Sequence, residues 1–309
     1  MNAGTVTGTD TRPPSPGKEG CALHIVVCIK QVPDSREIRI DAKTGTLIRE
    51  GVPSIVNPYD LHGVEEAVRL KERFPGTRVT AITMGPMMAA SALEECIALG
   101  ADEGVLVSDR AFAGADTLAT SYVLSQAVRK ASQQWGEVDL VLCGKQTIDG
   151  DTGQVGPGLA SRLGYEQLTY VEAIEDIDPD ARRIRVRRRL EDGVQVVETR
   201  LPAVLTVMET LNEVRRASLP QVLRAVRYKP VVWTVQDFPD IDRSQIGLKG
   251  SPTVVGKAWV PEPIRRAGLR IEGKTPQEAA RAAWQALVER RLPEKLGWVA
   301  RAQTEVHHA

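Results

Sequence analysis

Four short apolar runs constrain this chain more than any other feature. Residues 23–29, 79–84, 104–107 and 138–143 are rich in Val, Ile and Leu, and each ends in a polar or glycine-containing loop. Runs that are apolar throughout, rather than alternating, describe strands buried on both faces. Helix-length segments lie between them. In residues 60–73, Leu61, Val64, Ala67, Val68 and Leu70 share a face, and Asp60 is the expected cap. A second helix spans about 89–99 and stops at Gly100; a third runs from Asp116 or Thr117 to about Gln133. This alternation predicts a doubly wound α/β fold with a mostly parallel, Rossmann-like sheet.

In such folds ligands bind beyond the carboxyl ends of the strands. The loops at those ends are 30–34, 84–86, 108–117 and 144–158, and polar and glycine residues concentrate in them. The last is the most distinctive, a glycine-rich loop between the strand at 138–143 and a helix at its far end. Gly144, Gly150, Gly153, Gly156 and Gly158 are expected to let the backbone approach a ligand. Backbone N–H groups and a helix N-terminus would then meet a phosphate. No G-x-x-x-x-G-K-[ST] motif is present, and Gly156-Pro-Gly-Leu-Ala-Ser161 only imitates G-x-G-x-x-G. Ordinary turn chemistry accounts for the same residues, so both readings stand at this point. Asp149 and Asp151 fit turn formation or sugar-hydroxyl contact better than acid–base work.

Lys+Arg and Asp+Glu each total 40, so no global field argues for nucleic acid or an anionic membrane. Cys21, Cys28, Cys96 and Cys143 are far apart, three of them inside apolar runs, and read as small buried hydrophobes. His24, His62, His307 and His308 are too scattered for a metal cluster. Residues 1–21 form a polar tail, expected to be disordered, without the apolar core of a signal peptide or a membrane span. A reducing, cytoplasmic setting fits.

Residues 36–48 predict a small hairpin. Strands are expected at 168–174, 184–190, 194–199 and 203–208, with a tight turn at Glu191-Asp-Gly193. The α/β domain is thus placed at 22–210, followed by a loop and short helix at 211–230 that opens at Leu219-Pro220. Residues 231–309 read as an extended arm with a terminal helix at 276–290. Its Trp233, Trp259 and Trp284, and also Trp298, are expected to be buried, so the arm is expected to pack on another subunit.

Cys28-Ile-Lys-Gln-Val-Pro-Asp34, Val56-Asn-Pro-Tyr-Asp60, Thr83-Met-Gly-Pro86, Gly100-Ala-Asp102 and Gly144-Lys-Gln-Thr-Ile-Asp-Gly-Asp151 occur in that order. Together they resemble the electron transfer flavoprotein (ETF) beta subunit. Residues 108–121 and Asp151-Thr-Gly-Gln-Val-Gly-Pro157 are similar to its electron-bifurcating branch, and residues 248–255 to the Fix-type members associated with nitrogen fixation.

The resemblance implies a heterodimer with an ETF alpha subunit. Ordinary members hold a structural AMP in the beta subunit. The bifurcating branch holds FAD there instead, takes a hydride from NADH, and splits the electrons between a quinone oxidoreductase and a ferredoxin or flavodoxin. It further implies adenine near Cys28 and Met84, with Asn57, Pro58, Tyr59 and Asp60 around the ribose and phosphates. Gly144, Lys145, Gln146, Thr147, Asp149, Gly150, Asp151, Thr152, Gly153, Gln154 and Val155 would complete that surround. Asp116, Thr117, Thr120 and Ser121 would serve the additional flavin, although Asp116 or Thr117 would also cap a helix. Leu219 resembles the anchor of the family's partner-recognition loop, with Arg215 and Arg216 as its charged rim. The flavin would supply the redox chemistry, so no catalytic residue is expected in this chain. Two other readings remain: a non-bifurcating subunit with AMP that serves acyl-CoA-type dehydrogenases, and a nucleotide-binding module without redox function.

Overall fold

A computed structural model describes residues 22–34, 39–40, 47–48, 53–253, 268, 270–290 and 292. The N-terminal tail, Cys21, Trp259, Trp298, His307 and His308 lie outside them. The chain forms two units, dividing between Trp259 and Val260.

In the first unit β1 (His24–Cys28) leads through β2 (Gln31–Pro33), β3 (Arg39–Ile40), β4 (Leu47–Ile48) and β5 (Ser54–Val56) to α1 (Pro58–Arg73). Then come β6 (Arg78–Met84), α2 (Ala90–Leu99), β7 (Glu103–Val107), α3 (Thr117–Trp135), β8 (Leu140–Gly144) and α4 (Val155–Leu163). Four strands follow, β9 (Glu166–Asp178), β10 (Arg183–Arg189), β11 (Val194–Arg200) and β12 (Ala203–Val207), before α5 (Leu219–Arg227) and β13 (Val231–Trp233). The expected hairpin at 36–48 is present as an antiparallel pairing of β3 with β4.

Nine strands join one sheet in the order β11-β10-β9-β12-β8-β1-β6-β7-β13. From β9 to β13 every pairing is parallel, and β10 and β11 add an antiparallel edge. The central strands are mostly apolar and almost wholly buried because both faces are covered. Ile25 and Val27 belong to the core on the α1–α2 side, while Val26 and Cys28 belong to that on the α3–α4 side. The chain winds from β1 to β6 and β7 in one direction, then returns across β1 to β8 and β12 in the other. Strand order therefore reverses between β1 and β8, which is where a doubly wound sheet opens a crevice.

Two expectations shift. Trp233 is buried in β13, which pairs with β7, and its ring stacks on Trp135 at 5.8 Å. Phe238, Ile241 and Ile246 are buried in the same core. Residues 231–251 thus complete the α/β unit, and no arm begins at 231. The three-residue strand is too short to show a period, so it read as irregular chain. In the second unit α6 (Pro276–Glu289) forms where the terminal helix was expected, but none of its residues is buried and Trp284 is 53% exposed.

Candidate functional site

A cavity of about 730 Å³ opens at the reversal point, within the size range of small-molecule sites. Its floor is formed by the strand ends at Cys28, Met84 and Cys143. The loop from Gly144 to Gly156 makes one wall, and the segment from Ser108 to Thr117, with Thr120 and Leu124, makes the other. The four strand-end loops singled out in the sequence all contribute.

Asp60 is the pivot of the floor. It does not cap α1, whose N-cap residue is Asn57. One turn in, its buried carboxylate accepts hydrogen bonds from the Lys30 N–H (2.8 Å) and the Gly144 N–H (3.0 Å), tying together the ends of β1 and β8. Burial raises this carboxyl to about 7, against the opposing effect of its hydrogen bonds. Gly144 is required here beside Asp60, since a Cβ would collide with the carboxylate and with Tyr59.

Asn57 is fully buried behind the loop, donating to the Gln146 carbonyl (2.9 Å) and accepting from the Ile148 N–H (3.1 Å). Asn57, Pro58 and Tyr59 are absent from the cavity lining, as are Asp149 and Asp151. Asp149 instead pairs with Lys30 (2.6 Å); burial pushes its carboxyl up, but the lysine outweighs this and holds it below the usual range. Asp151 adopts a positive φ of 50° and accepts from the Gln146 side chain at 3.0 Å. Lys145 borders the cavity with its ammonium over the Tyr59 ring (4.5 Å) and paired with Glu209. Gln146, Thr147, Gly150, Thr152, Gly153, Gln154 and Val155 line the wall.

Helix α4 begins at Val155, so Gly156 and Gly158 are helical rather than loop residues. A Cβ on Gly156 would strike Thr206, and one on Gly158 would lie 2.8 Å from Ser121. These glycines allow α4 to pack on the sheet and on α3. No side chain caps α4 at Gln154, and Val155 and Gly156 in its first turn both border the cavity. Uncapped N–H groups at a helix start favour an anion.

On the opposite wall Asp116 caps α3, accepting from the Leu118 and Ala119 N–H groups (both 3.0 Å); its other oxygen accepts from Thr253 (2.7 Å). Thr117 donates to the Gln154 side chain (2.9 Å), linking the starts of α3 and α4. Thr120 lines the cavity, whereas Ser121 is buried between α3 and α4, where it accepts from Arg162. Lys30 and Arg110 also line the cavity; the sequence reading had not assigned them a role, although both lie in its strand-end loops. His62 turns away and meets Asn212. Among the described residues no group of three or more His, Cys, Asp or Glu side chains is placed to hold a metal ion, and no helix is long and apolar enough to cross a membrane.

Outside the cavity, Leu219 opens α5 with 71% of its surface exposed, and Val226 is similarly exposed. Arg216 is exposed nearby. Arg215 is no free rim charge. It donates to the buried Glu65 (Nε, 2.8 Å) and to Glu72 (Nη1, 2.5 Å), fastening the segment before α5 to α1.

Fold and cavity define a doubly wound α/β protein with a nucleotide-type crevice. Residues 44–237 match the electron transfer flavoprotein domain family. The chain is 53% identical to the Protein FixA of Azotobacter vinelandii over 264 residues, covering 84% of this chain and 93% of that one. It is 46% identical to the electron transfer flavoprotein subunit beta of Clostridium acetobutylicum, covering 83% and 99% of the two chains. A third relative, the caffeyl-CoA reductase–Etf complex subunit CarD of Acetobacterium woodii, is 44% identical over 87% of this chain and its own full length. The chain belongs to the ETF beta-subunit family, Fix-type branch, and is an electron transfer flavoprotein subunit.

Proposed function

We propose that this chain pairs with an ETF alpha subunit and holds FAD in the cavity between β1 and β8. The pair would take electrons from NADH and pass them by bifurcation to a quinone oxidoreductase and to ferredoxin or flavodoxin. The observation that carries the FAD reading is the second wall. Beyond the strand ends, where an AMP moiety would have its floor, the cavity continues along Phe112, Asp116, Thr117 and Thr120. FAD contains AMP as one half, and this wall gives the other half somewhere to lie. The names of relatives support the wider reading, since they include Fix proteins and a subunit of a reductase–Etf complex.

The residues present fit the group. Cys28 and Met84 offer an apolar floor for adenine. The first-turn N–H groups of α4 and the backbone at Gly153, where φ is +62°, offer donors to phosphate. The Lys30–Asp149 pair is partly exposed, and such pairs are worth only ~0–1 kcal/mol, so Lys30 can exchange its carboxylate for a phosphate at little cost. Flavin, when bound, supplies hydride acceptance and single-electron transfer; the chain supplies binding, orientation and exclusion of water.

The test is a cofactor count on the co-purified heterodimer. Two FAD per heterodimer are expected; one FAD with one AMP overturns the proposal in favour of the non-bifurcating form.

A further inference from the structure

Cys28 ends β1, Cys143 is the last residue but one of β8, and the two are register partners across the point where the sheet reverses. Because β1 and β8 are parallel, both side chains leave the same face, from backbones ~4.8 Å apart. They point toward the α3–α4 core, and both border the cavity. The electron transfer proposed above uses neither sulfur.

A direct disulfide suits this pair poorly. It needs Cβ atoms ~3.8 Å apart, whereas side chains standing side by side on neighbouring strands stay near the strand spacing. A single atom inserted between two sulfurs spans a wider gap than an S–S bond. Soft centres that accept thiolate ligands suit such a pair. A closed tetrahedral metal site would need further ligands, and among the described residues no third His, Cys, Asp or Glu completes one. A soft centre that brings its own remaining substituent needs only these two thiols.

We propose that Cys28 and Cys143 form a two-thiol site for trivalent organoarsenicals, entered through the cavity and closed when a nucleotide fills it. An arsenoxide R–As=O condenses with the two thiols. Two As–S bonds form, the As–O bond breaks, and both thiol protons leave with the oxygen as water. Arsenic stays trivalent, so no oxidant is needed. Only the closing by nucleotide rests on the function proposed above; the site itself does not.

The test uses the full-length chain, reduced and freed of nucleotide, with one equivalent of phenylarsine oxide. Intact mass spectrometry should show one phenylarsenic added and two hydrogens lost. The adduct should resist excess 2-mercaptoethanol and yield to 2,3-dimercaptopropanol. Cys28→Ser and Cys143→Ser should each weaken retention ~100-fold or more, the advantage of two tethered ligands over one. Peptide mapping of the wild type, which needs no variant to fold, should find arsenic joining the peptides of Cys28 and Cys143. Equal retention in either serine variant, or arsenic on Cys21 or Cys96, overturns the site. FAD or AMP at ten times its dissociation constant should slow labelling ~10-fold. Labelling of the mapped pair at an unchanged rate supports the two-thiol site and overturns the closing by nucleotide.

Discussion

Arg215→Ala should loosen the segment that presents α5 without touching the cavity. Glu65 is 2% exposed and takes hydrogen bonds from Arg215 through N, Nε and Nη2. Removing one partner of a buried ion pair typically costs ~3–5 kcal/mol. Arg69 stays on Glu65 at 2.7 Å, and the Arg215 guanidinium is itself about a third exposed, so the expectation falls to ~2–3 kcal/mol. For a domain of this size that lowers Tm by roughly 4–12 °C.

The loss should depend on pH. Burial alone would raise the Glu65 carboxyl, but the hydrogen bonds from Arg215 and Arg69 overcome it and hold the group below its ordinary range. Glu72 is likewise held low, mainly by Arg215. A depressed carboxylate contributes stability that is present above its unfolded value, ~4.3, and is lost as pH falls through the folded one. Wild type therefore sheds this contribution on acidification, while Arg215→Ala has little of it to shed. Urea unfolding at pH 7 and near pH 3 should show the gap between the two proteins closing. Hydrogen exchange at pH 7 should quicken across residues 211–217. A gap below ~0.5 kcal/mol at pH 7, the size of an ordinary surface change, refutes the reasoning. A gap equal at both pH values does so too.

Two further outcomes are expected. The raised carboxyl of Asp60, at about 7, makes the folded state hold a proton that the unfolded chain has already released. Its contribution therefore falls as pH rises from about 4 to 7 and is flat above. Asp60→Asn cannot titrate and offers one acceptor to two N–H donors, so it should be less stable at pH 5 by ~1–3 kcal/mol. That deficit should narrow by pH 8 in thermal unfolding, and a constant deficit would contradict the assignment. On the function proposed above, Leu219→Ala should slow electron transfer to a partner oxidoreductase while leaving flavin content unchanged and stability within ~0.5 kcal/mol. Stopped-flow transfer rates beside a flavin spectrum separate the two, and a parallel loss of both would count against a recognition role.

The parallel strands were legible because burial on both faces leaves a continuous apolar run, as in residues 140–143. Helix ends at Gly100 and Asp116 were legible because capping is local chemistry. What the sequence concealed was long-range. Asp60 looks like a cap beside Asn57 and Pro58, yet its partners are backbone groups at Lys30 and Gly144. Arg215 looks like a surface charge, and nothing near it in sequence announces Glu65, 150 residues away. Gly156 and Gly158 carry the composition of a phosphate loop, but their lack of a side chain serves the packing of α4 against Thr206 and Ser121. The site was legible as a set of loops, and much less so as a division between residues that border the cavity and residues that brace it.

The late return of the chain to the sheet at β13 has a consequence for how this protein is made. β7 is an apolar parallel strand, and until residues 231–233 arrive its outer edge offers unpaired backbone groups to any neighbour. During synthesis that edge stays open until everything through α5 has been added. A nascent chain halted before β13 would carry the cavity and α5, together with the bare edge of the five-residue β7 in place of the three-residue edge of β13.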